Sequence, residues 1–532
     1  MGTLWYGGTF YTLRDERETV DAVFVDNGII EAIGSRDELI STYADHIDKQ
    51  IDVKGAYIYP GFVDSHLHMI MHGEKLIQLD LSNVHSADEM KELLCKKVSE
   101  ASSDDWIIGE GWNENNFADQ KIFNRYELDE IAPNNPMMLT RVCRHAILAN
   151  SAALTLAGID KHTNEPTGGV IVRNENQEPT GYLLDHAQEL VKAVVPTVSE
   201  AYIEKALSTA VKDMVRKGLV GGHTEDLHYY GGFERTLAAF KKVIDGTRTK
   251  FRAHLLVHHE VVDDMAAAYP DNRDVNDYIE LGAMKIFADG ALGGRTALLS
   301  EPYDDDPTTQ GVAIHPLTEL KQLVKKARHY NMPVAIHTIG DLALEYALTA
   351  IEAHPLKVDH QRDRLIHTQV IREDLVKRMR DLPVILDIQP RFVVSDFPWV
   401  EERLGEERLQ SSFAWKTLLD QGLHCAGGSD APIEPVDPLL GIHASITRKK
   451  PGQHHQGYLP EQKLSRYEAV KLFTQGSAYA IGKEQTRGCI ATGFVADFTA
   501  LDRDLFAVQE DDILNATVEM TVVDDTIMYE RN

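Results

Sequence analysis

The chain has 532 residues, of which 43 % are hydrophobic and 26 % are charged, so a globular protein with a sizeable core is expected. Acidic residues outnumber basic ones by 83 to 54, and the net charge of −29 argues against a nucleic-acid partner or an anionic membrane surface. No secretory signal is visible, no apolar run approaches the roughly 18 residues of a transmembrane helix, and the four cysteines are far apart. We therefore expect a soluble, cytoplasmic protein.

Both ends of the chain carry short β-rich segments. Near the N-terminus, "AVFVDNGIIEAIG" contains two such runs joined by Asn27-Gly28, which is typical of a two-residue hairpin turn. Near the C-terminus, "GFVADFTALDRD" and "VEMTVVDDTIMYE" are similar segments broken by Gly and Asp. We predict that residues 1–58 and about 480–532 meet in one small β-sandwich domain, with two separate flaps as the alternative.

The middle of the chain, residues 59–479, alternates between apolar runs and helical patterns. In "LTELKQLVKKARHY", for example, apolar residues recur at the i, i+3, i+4 spacing of a helix. This alternation predicts an α/β fold, a (β/α)₈ TIM barrel. The eight strand candidates are 57–63, 218–224, 252–258, 282–287, 332–337, 364–368, 383–388 and 423–430.

A long interval separates the first two strand candidates. It covers about 69–217, which is roughly 150 residues and more than one crossover helix needs. We predict a large insertion after the first strand, on the active-site rim of the barrel.

Two histidines stand two positions apart at the end of the first candidate strand, in "YIYPGFVDSHLHM". Residues i and i+2 of a strand point to the same side, and active sites of barrels lie at the carboxyl ends of the strands. His66 and His68 could therefore hold one metal ion. An isolated His-x-His pair is more often two polar residues of a loop.

Four more polar residues lie at or near the carboxyl ends of other strand candidates: Lys285, His337, His367 and Asp430. If the barrel forms, all six side chains point into one cavity, and four imidazoles with a carboxylate suit zinc or a similar ion. Lys285 lies in the apolar segment "GAMKIF", where a free ammonium group would be costly. A lysine that extends its amine to the surface is the alternative.

Motifs along nearly the whole chain resemble the amidohydrolase superfamily, and within it the family 3 group of YtcJ-like and N-substituted formamide deformylase-like proteins. The motifs are "GFVDSHLH", "KIFADGALGGRTALL", "AIHTIGD", "LIHTQ", "GGSDAPIEPVDPLLGIHASITR" and "ATGFVADFTALDRD". The resemblance implies a barrel of the metal-dependent hydrolase type. It also suggests a homodimer.

The resemblance further implies a set of metal ligands. His66 and His68 would bind a first ion, and His337 and His367 a second. Lys285 would be carboxylated on its amine and bridge the two ions. The expected cofactor is a divalent metal, zinc first, with one or two ions per chain and two if Lys285 is carboxylated.

The function implied is hydrolysis of a C–N bond in a small N-substituted amide or formamide. The metal would lower the pKa of bound water towards about 7 and so supply hydroxide. Asp430 would touch the first metal and act as the general base, passing the proton to the departing amine. The same ligands could serve a deaminase, an esterase or a metal-dependent decarboxylase, or a metal-binding protein without turnover.

Three further residues are candidates for contact with the substrate. His145 occupies a segment that carries a substrate-facing histidine in similar proteins, although a surface histidine is an equal alternative. Trp112, in "GWNEN", could form a wall of the site or belong to the core. Arg295, in the glycine-rich "DGALGGRT", could meet a substrate carboxylate or form a structural ion pair.

Overall fold

The computed structural model describes residues 2–103, 105–142, 145–166, 168–195, 198–270, 273–358 and 360–531. The chain divides into two compact units. The larger unit consists of Met1–His72 and Ile203–Asn532, and the smaller unit is Gly73–Tyr202.

Eight parallel strands form a nearly closed barrel in the larger unit, which confirms the predicted TIM barrel. Each strand pairs with the next, and two backbone hydrogen bonds link the first strand to the chain after the last. They run from Asp430 N–H to the His66 carbonyl at 2.7 Å and from His68 N–H to the Ala431 carbonyl at 2.8 Å. The strands are β1 (Phe62–Leu67), β2 (Leu219–Thr224), β3 (Arg252–His258), β4 (Ile279–Phe287), β5 (Val334–Thr338), β6 (Asp363–His367), β7 (Val384–Ile388) and β8 (Cys425–Gly427).

Helices follow most of the barrel strands. The predicted periodicity is visible in Leu317–His329, which buries Leu320, Val324 and Ala327 on one face. Among the described residues, no helix has the length and apolar character to cross a membrane. The other helices wholly in this unit are Arg36–Tyr43, Phe233–Val243, Val262–Ala268, Asp341–Ala353, Glu373–Arg380, Phe392–Asp396, Trp399–Leu409, Trp415–Asp420, Pro438–Thr447, Arg466–Lys471 and Ser477–Ala480.

The two ends of the chain form one β-rich domain, as predicted. Asn27 and Gly28 have φ angles of 49° and 81°, the left-handed conformation that the predicted hairpin turn requires. Trp5 and Phe498 meet in the core of this domain with ring centroids 5.7 Å apart. The strands are Gly2–Tyr11, Thr19–Asp26, Ile29–Gly34, Ile47–Asp52, Tyr57–Pro60, Phe498–Leu501, Val518–Val523 and Thr526–Glu530.

The first barrel strand differs from the predicted candidate at 57–63. Tyr57–Pro60 belongs instead to the terminal sheet, where it pairs with the first strand of the chain and with Phe498–Leu501. Gly61 then separates the two strands. A Cβ atom at Gly61 would lie 2.5 Å from the side chain of Val220, so only glycine fits there without a shift. The apolar run gives no sign of this change of sheet, because both strands are buried.

The smaller unit carries its own six-stranded sheet. It lies within the range predicted for the insertion, about 69–217, and the predicted domain boundaries stay a prediction. Helices Met69–Ile77 and Glu200–Arg216 contain the two chain boundaries between the units. The strands are Leu79–Asp80, Ile107–Trp112, Met137–Arg141, Ala146–Ala149, Gly169–Arg173 and Pro179–Asp185, and the helices are Ala87–Ser99, Arg125–Ile131, Ser151–Leu156 and Gln188–Lys192.

Candidate metal centre

Six polar side chains lie at the carboxyl-terminal rim of the barrel, within or just after β1, β4, β5, β6 and β8. Parallel strands in register bring their carboxyl ends to one edge, so residues far apart in sequence become neighbours there. The six polar side chains at the rim are those of the six predicted ligand residues: His66, His68, Lys285, His337, His367 and Asp430.

A buried apolar layer lies below the rim, two residues before Lys285 and His337 on their strands. Ala283 and Ala335 precede Lys285 and His337 by two residues, so each alanine points to the same side of its strand as the polar residue. Both alanines belong to a buried apolar cluster. The polar groups of the rim therefore face a low-dielectric interior on one side.

His66, His68 and Asp430 form the tightest part of the cluster. Their ligand atoms all lie within 4.8 Å of one another. Oδ1 of Asp430 lies 3.6 Å from Nε2 of His66 and 3.5 Å from Nε2 of His68. One carboxylate oxygen thus faces two imidazole nitrogens, which are ligand types that zinc prefers.

Lys285 and the remaining two histidines continue the cluster. Nζ of Lys285 lies 3.2 Å from Nε2 of His66. The ring centroid of His367 is 5.7 Å from that of His66 and 4.4 Å from that of His337. The structure thus brings all six predicted residues into one group.

Hydrogen bonds orient three of the imidazoles. Nδ1 of His68 lies 2.8 Å from the backbone carbonyl oxygen of Glu225, and Nδ1 of His367 lies 2.6 Å from Oε1 of Gln389. Each acceptor favours a proton on Nδ1, which leaves the Nε2 lone pair for a metal. In His337 the order is reversed, since Nε2 lies 3.0 Å from a backbone carbonyl oxygen.

The electrostatics of the cluster favour neutral imidazoles at three of its four histidines. Burial lowers the pKa of His66 and of His337 well below the usual range and lowers the pKa of His367 to about 4. Burial acts in the same direction on His68, but the carboxylates of Asp430, Glu225 and Asp226 together outweigh it and raise the pKa of His68 to about 9. Among the described residues, Nδ1 of His66 is a buried atom without a hydrogen-bond partner. The imidazole nitrogens of the four histidines and the Asp430 carboxylate are ligand types that fit a divalent metal ion.

Lys285 is fully buried within β4, so its amine does not reach the surface. Burial lowers the pKa of Lys285 to about 8, which brings the neutral amine closer to physiological pH. A neutral amine is the form that can react with carbon dioxide. The environment therefore suits the carboxylated lysine that the resemblance implies.

Two residues that support the ligands were missed in the sequence. Glu225 follows β2 and is fully buried, and its Oε2 accepts a hydrogen bond from Tyr229 at 2.8 Å. Gln389 follows β7 and is nearly as buried. Both lie just after a barrel strand, in "GGHTED" and "DIQP", and that position is the signal that could have identified them.

The three candidate substrate contacts lie in different settings. Trp112 is buried in the core of the smaller unit, where its Nε1 donates to a backbone carbonyl at 3.0 Å. His145 is exposed, with Nδ1 3.1 Å from Oδ1 of Asp185. Arg295 donates two hydrogen bonds to Asp305, at 3.1 and 2.9 Å. Packing suits Trp112 and an ion pair suits Arg295, and the substrate roles stay predictions.

Comparisons with known proteins extend over nearly the whole chain. A family model described as "Amidohydrolase family" matches residues 49–529. The Bacillus subtilis (strain 168) protein YtcJ, whose name describes it as an amidohydrolase, is 49 % identical, and the match covers 100 % of both chains. N-substituted formamide deformylase of Arthrobacter pascens is 28 % identical over 98 % of this chain and 97 % of that protein.

A solved structure is similar over the same extent. The crystal structure of an uncharacterized metal-dependent hydrolase from Pyrococcus horikoshii aligns with a TM-score of 0.80 at 28 % identity. The alignment covers 96 % of this chain and 99 % of that chain.

Proposed function

This chain belongs to the amidohydrolase family and is a hydrolase that acts on carbon–nitrogen bonds, and on that basis we propose that it hydrolyses a small N-substituted amide or formamide with one or two divalent metal ions. The observation that carries the proposal is the convergence of six ligand-type side chains on one rim of the barrel. The likeness to a protein named N-substituted formamide deformylase supports the substrate class.

His66, His68 and Asp430 would hold one metal ion, and His337 and His367 would hold a second with Lys285 between the two. Zinc is the proposed metal because imidazole and carboxylate are among its usual ligands. When bound, the metal lowers the pKa of water and polarises the carbonyl group of the substrate. Proton transfer during the reaction depends on side chains of this protein.

Asp430 has the properties of a general base. Burial opposes its charged form, but the close His68 imidazole and the neighbouring His367 and Lys285 hold the pKa of Asp430 below its usual range. The carboxylate is therefore ionised at neutral pH and can accept a proton from an attacking water molecule. The same carboxyl group can then give that proton to the departing amine.

Product analysis tests the proposed reaction. Purified protein is incubated with N-substituted formamides and amides, and the acid and the free amine that are released are both measured. The proposed reaction should give one formate or carboxylate for each free amine. Release of ammonia, of an alcohol or of carbon dioxide would instead identify a deaminase, an esterase or a decarboxylase.

Asp430→Asn separates an enzyme from a metal-binding protein. The amide keeps the size of the side chain but cannot take up a proton, so turnover is expected to fall by about 10²–10⁴ while the fold is kept. Exposed Asp381 offers a control, since Asp381→Asn removes one negative charge away from the centre. Equal turnover in the two variants would contradict the role of Asp430.

A further inference from the structure

A second group of metal-ligating side chains lies outside the proposed centre. His228 follows β2, His258 is the last residue of β3, and Glu260 comes two residues later. One ligand atom from each of the three lies within 4.8 Å of the other two. None of the three belongs to the six residues assigned to the hydrolytic centre.

The geometry of this group is compact. The rings of His228 and His258 are stacked, with centroids 4.4 Å apart and planes inclined by 15°. Nε2 of His228 lies 3.2 Å from Oε2 of Glu260. The backbone N–H of Glu260 also donates to Nδ1 of His258 at 3.3 Å, so the short turn after β3 holds the carboxylate close to both rings.

More imidazoles extend the group along the rim. The ring of His259 stacks on His258 with centroids 4.5 Å apart, and the ring of His315 meets His259 edge-on at 5.1 Å. An ion pair between a protonated His228 and Glu260 would explain the 3.2 Å contact. It would not account for His258, which has a ligand atom within 4.8 Å of ligand atoms of both residues of that pair.

The second group is close to the hydrolytic centre but differs from it in exposure. The ring of Tyr229 is 5.5 Å from that of His228 and 6.2 Å from that of His68, so one side chain separates the two groups. The side chains of His228 and Glu260 are 34 % and 56 % exposed. A cation bound there would exchange with solvent more readily than one bound among the buried ligands.

We propose that His228, His258 and Glu260 form a second, solvent-accessible site for a divalent transition-metal ion such as zinc, separate from the hydrolytic centre. Two imidazoles and one carboxylate are three protein ligands, the number found at zinc sites that keep a coordination position open. The open position would accept water or a small anion.

Metal counting on the full-length protein tests this site. Wild-type protein and the single variants His228→Ala and Glu260→Ala are dialysed to equilibrium against Zn²⁺, and bound zinc per chain is measured by mass spectrometry. Each variant is expected to lose about one equivalent. Both side chains are partly exposed, so their removal leaves no buried cavity.

Glu319→Ala is the matched control. Glu319 is 55 % exposed, and its Oε1 lies 3.3 Å from Nδ1 of His315, so the substitution removes the same charge from the same kind of pair. This control is expected to keep the wild-type zinc content. Wild-type zinc content in either His228→Ala or Glu260→Ala, or an equal loss in Glu319→Ala, would overturn the proposal.

Bound zinc per chain is measured again in protein that carries His66→Ala, a substitution that disables the hydrolytic centre. Glu260→Ala should remove the same further equivalent in this background. Zinc content is read without any turnover, so failure of the proposed reaction would leave this result unchanged. Absence of the further loss would show that Glu260 acts through the hydrolytic centre and would refute a separate site.

Discussion

Nζ of Lys285 lies 3.2 Å from Nε2 of His66, and neither side chain is exposed to solvent beyond 1 %. Two basic nitrogens at this distance would repel each other if both carried a proton, and burial lowers the pKa of both groups. Burial thus shifts both groups towards their neutral forms, and these are the forms in which a lysine reacts with carbon dioxide and a histidine binds a metal ion.

Carboxylation of Lys285 is the first prediction. Protein produced with ¹³C-bicarbonate should show one carbamate signal by ¹³C NMR, and Lys285→Met should lack both the signal and about one bound metal ion. Lys326 provides a control because it is partly exposed and paired with Asp263 at 2.9 Å. An unchanged carbamate signal in Lys285→Met, or its loss in Lys326→Met, would rule out this position.

Gln389 is predicted to control the affinity of the centre for metal. Its Nε2 donates to the carbonyl of Asp387 at 3.1 Å, which turns Oε1 towards His367. Gln389→Ala should free the His367 ring and lower metal affinity and kcat/KM by about 10–100-fold. Competition with a chromogenic chelator measures the affinity, and exposed Gln421→Ala is the control. Equal affinities in the two variants would contradict the orienting role.

The ligand residues could be predicted because the chemistry and the strand pattern coincide at each of them. His337 and His367 each end an apolar segment, and Asp430 closely follows another, so a barrel brings them together wherever the strands begin. The junction at Gly61 could not be predicted in the same way. Two buried strands in succession give one continuous apolar run, and only tertiary pairing divides it.

Their position after a strand marks Glu225 and Gln389 as candidates, but the sequence does not show which ligands they support, and it does not reveal the second histidine group. Glu225 and Gln389 act through contacts with His68 and His367, which lie far away in the chain. His228 lies in a loop about thirty residues before His258. No periodicity links such residues, since their proximity depends on the positions of two loops.

Removal of one partner of a buried ion pair in the barrel should strongly lower stability. Nε of Arg364 donates to Asp387 at 2.7 Å and its Nη2 donates to the carbonyl of Ser65 at 2.6 Å, with both side chains of the pair almost fully buried. Arg364→Met leaves an unpaired buried carboxylate and is expected to lower the free energy of unfolding by about 3–5 kcal/mol.

Urea denaturation measures this change against an exposed pair. Lys377 and Glu373 are 70 % and 86 % exposed and lie 2.8 Å apart, so Lys377→Met should have little effect on the unfolding transition. A shift no larger in Arg364→Met than in Lys377→Met would show that the buried pair is not needed for stability.

Asp396 should make stability depend on pH. Burial, aided by the charge of Glu434, raises its pKa to about 7, whereas in the unfolded chain the carboxyl group ionises near its usual pKa of about 3.9. Ionisation therefore costs more in the folded state, and the free energy of unfolding falls as the pH rises between these two values. Below this window the carboxyl group is protonated in both states and adds no penalty.

Asp396→Asn removes this penalty and keeps an oxygen for the 3.0 Å hydrogen bond from Gln369. The variant should gain stability relative to the wild type as the pH is raised from about 4 to about 7, with no further gain above that. Urea denaturation across this range measures the difference, and Asp381→Asn again controls for the lost charge. A difference between Asp396→Asn and wild type that does not vary with pH would contradict the assignment.

The single residue between Tyr57–Pro60 and β1 has a consequence for biosynthesis. Tyr57–Pro60 pairs with Phe498–Leu501, and Gly61 N–H donates to the carbonyl of Asp497 at 2.9 Å, so the segment that carries His66 is anchored to residues translated much later than itself. A ribosome that has made only the first 490 residues cannot supply this anchor. We expect the segment that carries His66, and with it the proposed metal centre, to be fixed only after residues 497–501 have left the ribosome.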